Sequence, residues 1–290
     1  MPIEPRLRNG LSGAPGVVHL VGAGPGDPGL LTVRARELLE IADVVAHDAL
    51  VPPPILALAG PSAELLAVGR RHGAGATPYR LHPEVLARAR AGKRVVRLKA
   101  GDPLVFGRGG EEAEELAEAG IPFEIVPGVS AALGAAACAG IPLTHRLHAS
   151  AVTFATGHEA ECGESAGACR PGASRRDGTL VLFMASRNLA ANLRRLVAEG
   201  RSPETPAALI AAATTPAQKI VVGTLATLAQ KAADVDPAAP ALVIVGEVVR
   251  VRERLARLEC RPLAGPAGAR AEDGGRASPP SSPSSPESSR

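Results

Sequence analysis

Tryptophan is absent from this chain, tyrosine occurs once, phenylalanine four times and methionine twice. Surfaces that bind single-stranded nucleic acid stack bases on aromatic rings, and this chain has few to offer. A preponderance of one charge is also lacking: 32 Lys and Arg stand against 29 Asp and Glu, a formal net charge of +3. Bulk electrostatics therefore makes no case for a nucleic-acid partner. The four cysteines, at 138, 162, 169 and 260, form no CxxC pair, and Cys162 and Cys169 are too far apart for zinc-knuckle spacing. No metal set is expected, and reduced cysteines point to a cytoplasmic protein. Met1 to Gly16 has no apolar segment of the kind a signal peptide needs. The longest run of small apolar residues, 128–143, contains Gly134, Gly140 and Pro142 and is too short to cross a bilayer, so no membrane partner is expected either.

What is present is a chain of 290 residues, 46% hydrophobic and rich in alanine, long enough for one large domain or two smaller ones. Residues 1–15 read as a flexible leader. Short apolar runs at 17–21, 44–46, 63–68, 94–98 and 123–126 alternate with helical segments at 30–41, 82–91, 110–119 and 130–139. That alternation predicts a mostly parallel sheet covered on both faces. After a connector at 142–150 a second series begins, with strands at 151–155, 179–184, 207–211, 219–222 and 241–245 and helices at 188–199 and 225–233. The expected organisation is an N-terminal α/β domain over 16–146 and a C-terminal one over 147–260, with a surface loop at 159–178. Residues 261–290, rich in Ser, Pro, Gly and Ala, read as a disordered tail.

Gly24, Gly26 and Gly29 satisfy GxGxxG between a strand and a helix, and Asp48 follows about twenty residues on, as in a dinucleotide fingerprint. Two residues oppose that reading. Pro25 has no N–H to give a phosphate, and Asp27 would put a carboxylate where a pyrophosphate should sit. A cationic or zwitterionic ligand suits the loop better, with a tight turn that binds nothing as the alternative. A second cluster, residues 94–112, ends a β-rich run in Gly101-Asp102-Pro103, so Asp102 falls at the carboxyl end of a strand, where open α/β sheets bind ligands. Arg108 and Glu111 share that glycine-rich loop, which would serve a ligand needing both a cation and an anion; a solvated loop is the alternative. A third cluster, 126–131, is again strand, Pro-Gly turn and helix, and a fourth is Pro142-Leu-Thr-His-Arg146. His145 and His158 lack metal-ligand spacing.

Taken in order, VGAGPGDPGLLT (21–32), HDALV (47–51), VGRR (68–71), RVVRLKAGDPLVFGRGGEE (94–112), GIPFEIVPGVSA (120–131), GIPLTHR (140–146), TGHE (156–159), TLVLFM (179–184), TTP (214–216) and ALVIVGEVV (241–249) resemble the uroporphyrinogen-III C-methyltransferases. The resemblance runs from about residue 17 to residue 258. It implies two α/β domains with a cofactor cleft between them, usually assembled as a homodimer. It also implies two methyl transfers from S-adenosylmethionine to ring carbons of uroporphyrinogen III, giving precorrin-2 for sirohaem or cobalamin and leaving S-adenosylhomocysteine. A methyltransferase acting on a later precorrin, or a weakened homologue that only binds, are the alternatives. By the same resemblance Pro25, Ala100, Gly101, Asp102, Val105, Ser130, Ala131, Met184 and Ala213 would bind cofactor. Arg108, Glu111 and Arg146 would bind the substrate, whose eight carboxylates call for guanidinium partners. Asp48 would accept a proton, and Arg70 stands at the other catalytic position. Fused sirohaem synthases carry an extra N-terminal domain that this sequence lacks, so dehydrogenation and iron insertion are expected of other proteins.

Several positions depart from the family's pattern. Arg70 replaces the usual Lys and, with its high pKa, would act only electrostatically. Ala49 replaces an Arg and removes one carboxylate clamp. Ala100, Ala185 and Ala213 replace glycines, each adding a methyl group near the cofactor pocket, and Leu104 stands where Phe is common.

Overall fold

The computed structural model describes residues 16–69, 81–157 and 178–256. The expected leader (1–15), Arg70, His158, the loop from 159 to 177 and the 261–290 tail lie outside the described residues.

Five strands, β1 (Val18–Gly22), β2 (Val44–His47), β3 (Glu64–Ala67), β4 (Val95–Lys99) and β5 (Phe123–Val126), form the first sheet in the order β3-β2-β4-β1-β5. Every pairing in it is parallel, with Val18 opposite Val95 and Phe123. The helices α1 (Val33–Ile41), α2 (Pro53–Leu56), α3 (Pro83–Arg90) and α4 (Gly109–Glu118) cover it. Strand alternation sends Leu20, Ala46 and Val95 to one face, where they meet Val85, Ala113 and Leu116. Val21, Val45, Val96 and Leu98 go to the other face, against Ala35, Leu38 and Ile55. Thr32 caps α1, its Oγ accepting from the Ala35 N–H at 3.1 Å.

The second sheet contains β6 (Val152–Thr156), β7 (Thr179–Phe183), β8 (Pro206–Ala211), β9 (Lys219–Thr224) and β10 (Ala241–Val245), in the order β6-β7-β10-β8-β9. Only β6 and β7 run parallel; the other pairings are antiparallel. One face is covered by α6 (Leu189–Ala198) and α7 (Leu228–Lys231). The opposite face takes α5 (Ala131–Ala139) together with Val248 and Val249 at the start of α8 (Val249–Ala256).

Helix α5 precedes residue 146 yet contributes its core to the second sheet. Its sequence, AALGAAACA, is apolar all round, which fits a helix with neighbours on more than one side. Ser130 caps its start, and Gly140, at φ 64°, ends it in a left-handed turn. A helix over 249–256 was not anticipated, because VRVRERLA alternates like an exposed strand.

Candidate active site

The loops at the carboxyl ends of β1, β4 and β5 are stitched together at backbone level. Gly24 and Gly101 exchange hydrogen bonds, 3.1 Å from Gly24 N–H to Gly101 O and 2.8 Å in return. Asp102 completes the assembly: one carboxylate oxygen accepts from the Leu104 N–H at 2.9 Å and the other from the Gly128 N–H at 3.1 Å. The contact admits only glycine at 128, where a methyl group would lie 2.3 Å from the Gly101 carbonyl oxygen. Asp27 is similarly committed, its carboxylate accepting from the Gly29 N–H at 2.7 Å to cap a 3-10 turn at 28–30.

This loop assembly touches the second half of the chain. The Asp27 N–H donates to Thr214 Oγ1 at 3.2 Å. Pro25 lies against α5, so near that a methyl group at Gly134 would fall 2.5 Å from its Cγ. Among the described residues the non-glycine positions with left-handed φ are Phe106, Arg108, Met184, Ala212 and Thr214, all in loops that follow β4, β7 and β8. Such backbone is costly and tends to collect at ligand sites.

Where these loops face each other there is a cavity of about 380 Å³ lined by Leu104, Phe106, Arg108, Gly109, Gly110, Glu111, Thr156 and Met184. Leu104, Phe106 and Met184 are exposed apolar side chains. Behind them the Phe106 and Phe183 rings lie 4.7 Å apart, and Phe154 meets Phe183 edge-on at 5.7 Å. Three of the chain's four phenylalanines thus gather at one place. The cavity offers apolar surface, a guanidinium and a carboxylate together.

Of the residues expected at the site, Arg108, Glu111 and Met184 come together in the cavity wall. Pro25, Gly101, Asp102, Ser130 and Ala131 sit in the stitched loops and at the start of α5, while Val105 and Ala213 pack on the α5 core. Ala100 is half-buried just after β4. Arg146 is exposed in the 140–151 connection and does not line the cavity.

Asp48, at the end of β2, is engaged in a network that sequence reasoning missed. Arg97 Nη2 donates to Asp48 Oδ1 at 2.5 Å and to Glu112 Oε1 at 3.0 Å, and Lys99 Nζ donates to the same Glu112 oxygen at 2.7 Å. Burial, then the neighbouring Arg97 charge, pushes the Lys99 pKa down against the pull of Glu112 and Asp48. The available signal was Arg97 and Lys99 two residues apart in an otherwise apolar strand, facing the acidic first turn of α4. Among the described residues no group of three or more His, Cys, Asp or Glu is placed to hold a metal ion, and no helix is long and apolar enough to cross a membrane.

The sequence profile described as Tetrapyrrole (Corrin/Porphyrin) Methylases matches residues 17–229. The chain belongs to that family. Siroheme synthase from Pseudomonas aeruginosa (strain UCBPP-PA14) is 51% identical over 262 residues, 89% of this chain and 55% of that protein. Siroheme synthase from Azotobacter vinelandii is 49% identical over 263 residues, 90% and 56% of the two chains. The chain thus spans about half the length of the curated relatives it matches. Among solved structures, uroporphyrin-III C-methyl transferase from Thermus thermophilus complexed with S-adenyl homocysteine aligns at 40% identity and a TM-score of 0.67, covering 81% of this chain and 100% of that one. A cobalt precorrin-4 methyltransferase aligns at 32% identity and a TM-score of 0.68, covering 80% and 95%. The two-sheet α/β architecture of this chain is the one those enzymes share.

Proposed function

We propose that this chain transfers two methyl groups from S-adenosylmethionine to pyrrole carbons of uroporphyrinogen III, giving precorrin-2. The observation that carries the reading is the cavity whose wall draws Arg108 and Glu111 from the first half and Met184 from the second. Support comes from the Thermus thermophilus enzyme, which this chain matches over its whole length. Fold similarity alone does not separate that substrate from a later precorrin, since the TM-scores are 0.67 and 0.68. Sequence identity, at 40% against 32%, supports uroporphyrinogen III.

S-adenosylmethionine, when bound, supplies an electrophilic methyl group on a sulfonium. The residues present fit such a molecule: Met184 and Phe106 give apolar surface to an adenosyl group, and the Glu111 carboxylate faces the same cavity as a cation would. Pro25, Ala100, Gly101, Val105, Ser130, Ala131 and Ala213 set the shape of the loops around it. Asp102 fixes those loops, each of its oxygens accepting one backbone N–H, and keeps acceptor capacity for the cationic end of the cofactor. Arg108, joined by Arg146 from the neighbouring connection, holds substrate carboxylates. Asp48 takes the proton that the methylated macrocycle gives up, and Arg97 keeps its carboxylate in place. The chain's main task is alignment and exclusion of water. Arg70 adds positive charge. We further propose a cytoplasmic homodimer with domains over 16–146 and 147–260, to be checked by light scattering and limited proteolysis.

The test is anaerobic incubation of the protein with uroporphyrinogen III and S-adenosylmethionine, followed by mass spectrometry of the tetrapyrrole. A product carrying two added methyl groups is expected. An unchanged tetrapyrrole, with S-adenosylhomocysteine still bound in calorimetry, would overturn the assignment of substrate.

A further inference from the structure

Lys99 and Arg97 are 2% and 6% exposed, each on a strand that is otherwise Val and Leu. Removing two cations from water is costly, and an apolar residue at either position would pack at least as well. Two cations placed there call for a role beyond packing. Both point to the face covered by α4, whose first turn sends Glu111 to the cavity and Glu112 inward between them.

The four side chains form a line with one open end. Side-chain exposure is 3% at Lys99, 12% at Glu112 and 7% at Arg97, but 26% at Asp48. The line is not a proton wire, because a guanidinium stands in the middle and does not give up its proton. It acts by position. Arg97 Nη1 donates to the Leu98 and Ala46 carbonyls at 3.3 and 3.5 Å, while Nη2 donates to both Asp48 and Glu112, so about those backbone anchors Glu112 fixes how the guanidinium is turned toward Asp48. Lys99, donating to the same Glu112 oxygen, keeps that carboxylate from turning away. Among the described residues Arg97 Nε and Glu112 Oε2 are buried without a hydrogen-bond partner, so within them the network holds one arrangement at the expense of fully satisfied hydrogen bonding.

We propose that Glu112, held by Lys99, is a positioning residue for Asp48 that acts through Arg97. The inference rests on Asp48 taking part in the reaction, as read above. It predicts that Glu112→Gln, which keeps the shape and removes the charge, lowers kcat on the order of 10- to 100-fold. The KM for S-adenosylmethionine should stay unchanged, since the cavity wall is untouched.

The deciding measurement is a double-variant cycle on kcat with the full chain: Asp48→Asn, Glu112→Gln and the pair. If Glu112 works through Asp48, adding Glu112→Gln to Asp48→Asn changes kcat by no more than about twofold, the usual error of such cycles. A further fall as large as that of the single variant would show Glu112 acting independently and overturn the proposal. An Asp48→Asn enzyme with kcat intact would instead remove the role of Asp48, and this inference with it. Should Glu112→Gln fail to fold, Lys99→Met runs the same cycle, because it leaves Glu112 paired with Arg97 while freeing it to turn. It is expected to give a smaller fall that vanishes in the Asp48→Asn background, and a fall that persists there overturns the proposal.

Discussion

Single side chains in this protein are pulled between solvation and pairing, and His19 shows which wins. It sits on β1, 9% exposed, with Nδ1 2.9 Å from Glu124, whose carboxylate also takes a two-point contact from Arg34. Burial pushes the imidazole pKa below its usual 6.5, outweighing the Glu124 carboxylate, which pulls it upward. The folded protein therefore binds fewer protons than the unfolded chain between the lowered value and 6.5, and stability in that window rises with pH. The contribution is fully present above the unfolded value and is lost as pH falls. Glu124, held below the usual carboxylate range chiefly by Arg34, adds a loss of the same sign in a more acidic window. Urea midpoints measured between about pH 7.5 and about pH 5.5 should fall toward acid, and His19→Gln should flatten that slope. An unaltered slope in the variant would mean the imidazole carries no such penalty. At this scale the sequence was a mixed guide. It marked Asp102 by its place at a strand end but not the Leu104 and Gly128 N–H groups that the same carboxylate also accepts. It passed over Arg97 and Lys99 because charges at alternate strand positions read as a solvated face, and only the docking of α4 shows that they are covered.

Elements depend on one another through small residues, and α5 is the clearest case. Gly134→Ala on an isolated helix would gain about 1 kcal/mol of helix propensity. Here the added methyl group would lie 2.5 Å from Pro25 Cγ and 2.7 Å from its Cβ, in a rigid ring that cannot swing aside. Overpacking of that kind costs about 1–3 kcal/mol. The steric term is the larger, so Gly134→Ala should lower the melting temperature and weaken S-adenosylhomocysteine binding by lifting the glycine loop off α5. Gly110→Ala in α4, where nothing lies within 4 Å of an added methyl group, provides the contrast and should gain stability. A stabilised Gly134→Ala protein would show the loop to be loosely seated. The sheets were legible in the sequence because buried strands read as short apolar runs between helical segments, as at 94–98 in the parallel sheet and 179–184 in the mixed one. Helix α8 was not, since its valines alternate with arginines and only packing onto the second sheet chooses between the two periods. The cavity loop 104–111 was legible from its glycines and charges. The packing of α5 on the second sheet was not, because a helix made of alanine displays no face.

Across the whole molecule, the cavity and α5 make one unit of two sheets. The core that α5 shares with β7, β8 and β10 also takes Val105 from the loop after β4. Asp27 reaches Thr214, and the Phe106 ring meets Phe183 at a 51° tilt across the same divide. A ligand seated in the cavity touches loops from both halves, so its binding energy should act on both at once. At a concentration one hundred times its Kd, S-adenosylhomocysteine would add about 2.7 kcal/mol, which for a chain of this size raises the melting temperature on the order of 5–10 °C. Calorimetry should show one transition that moves as a whole. Hydrogen exchange should show protection gained together around 104–111, at 156 and at 184, with Ala212 and Thr214 included because their left-handed backbone forms the wall behind Asp27. Two transitions, of which the ligand moves only one, would mean that one half holds the cofactor alone. In that case Met184 and Arg108 would be neighbours in space without being partners in binding.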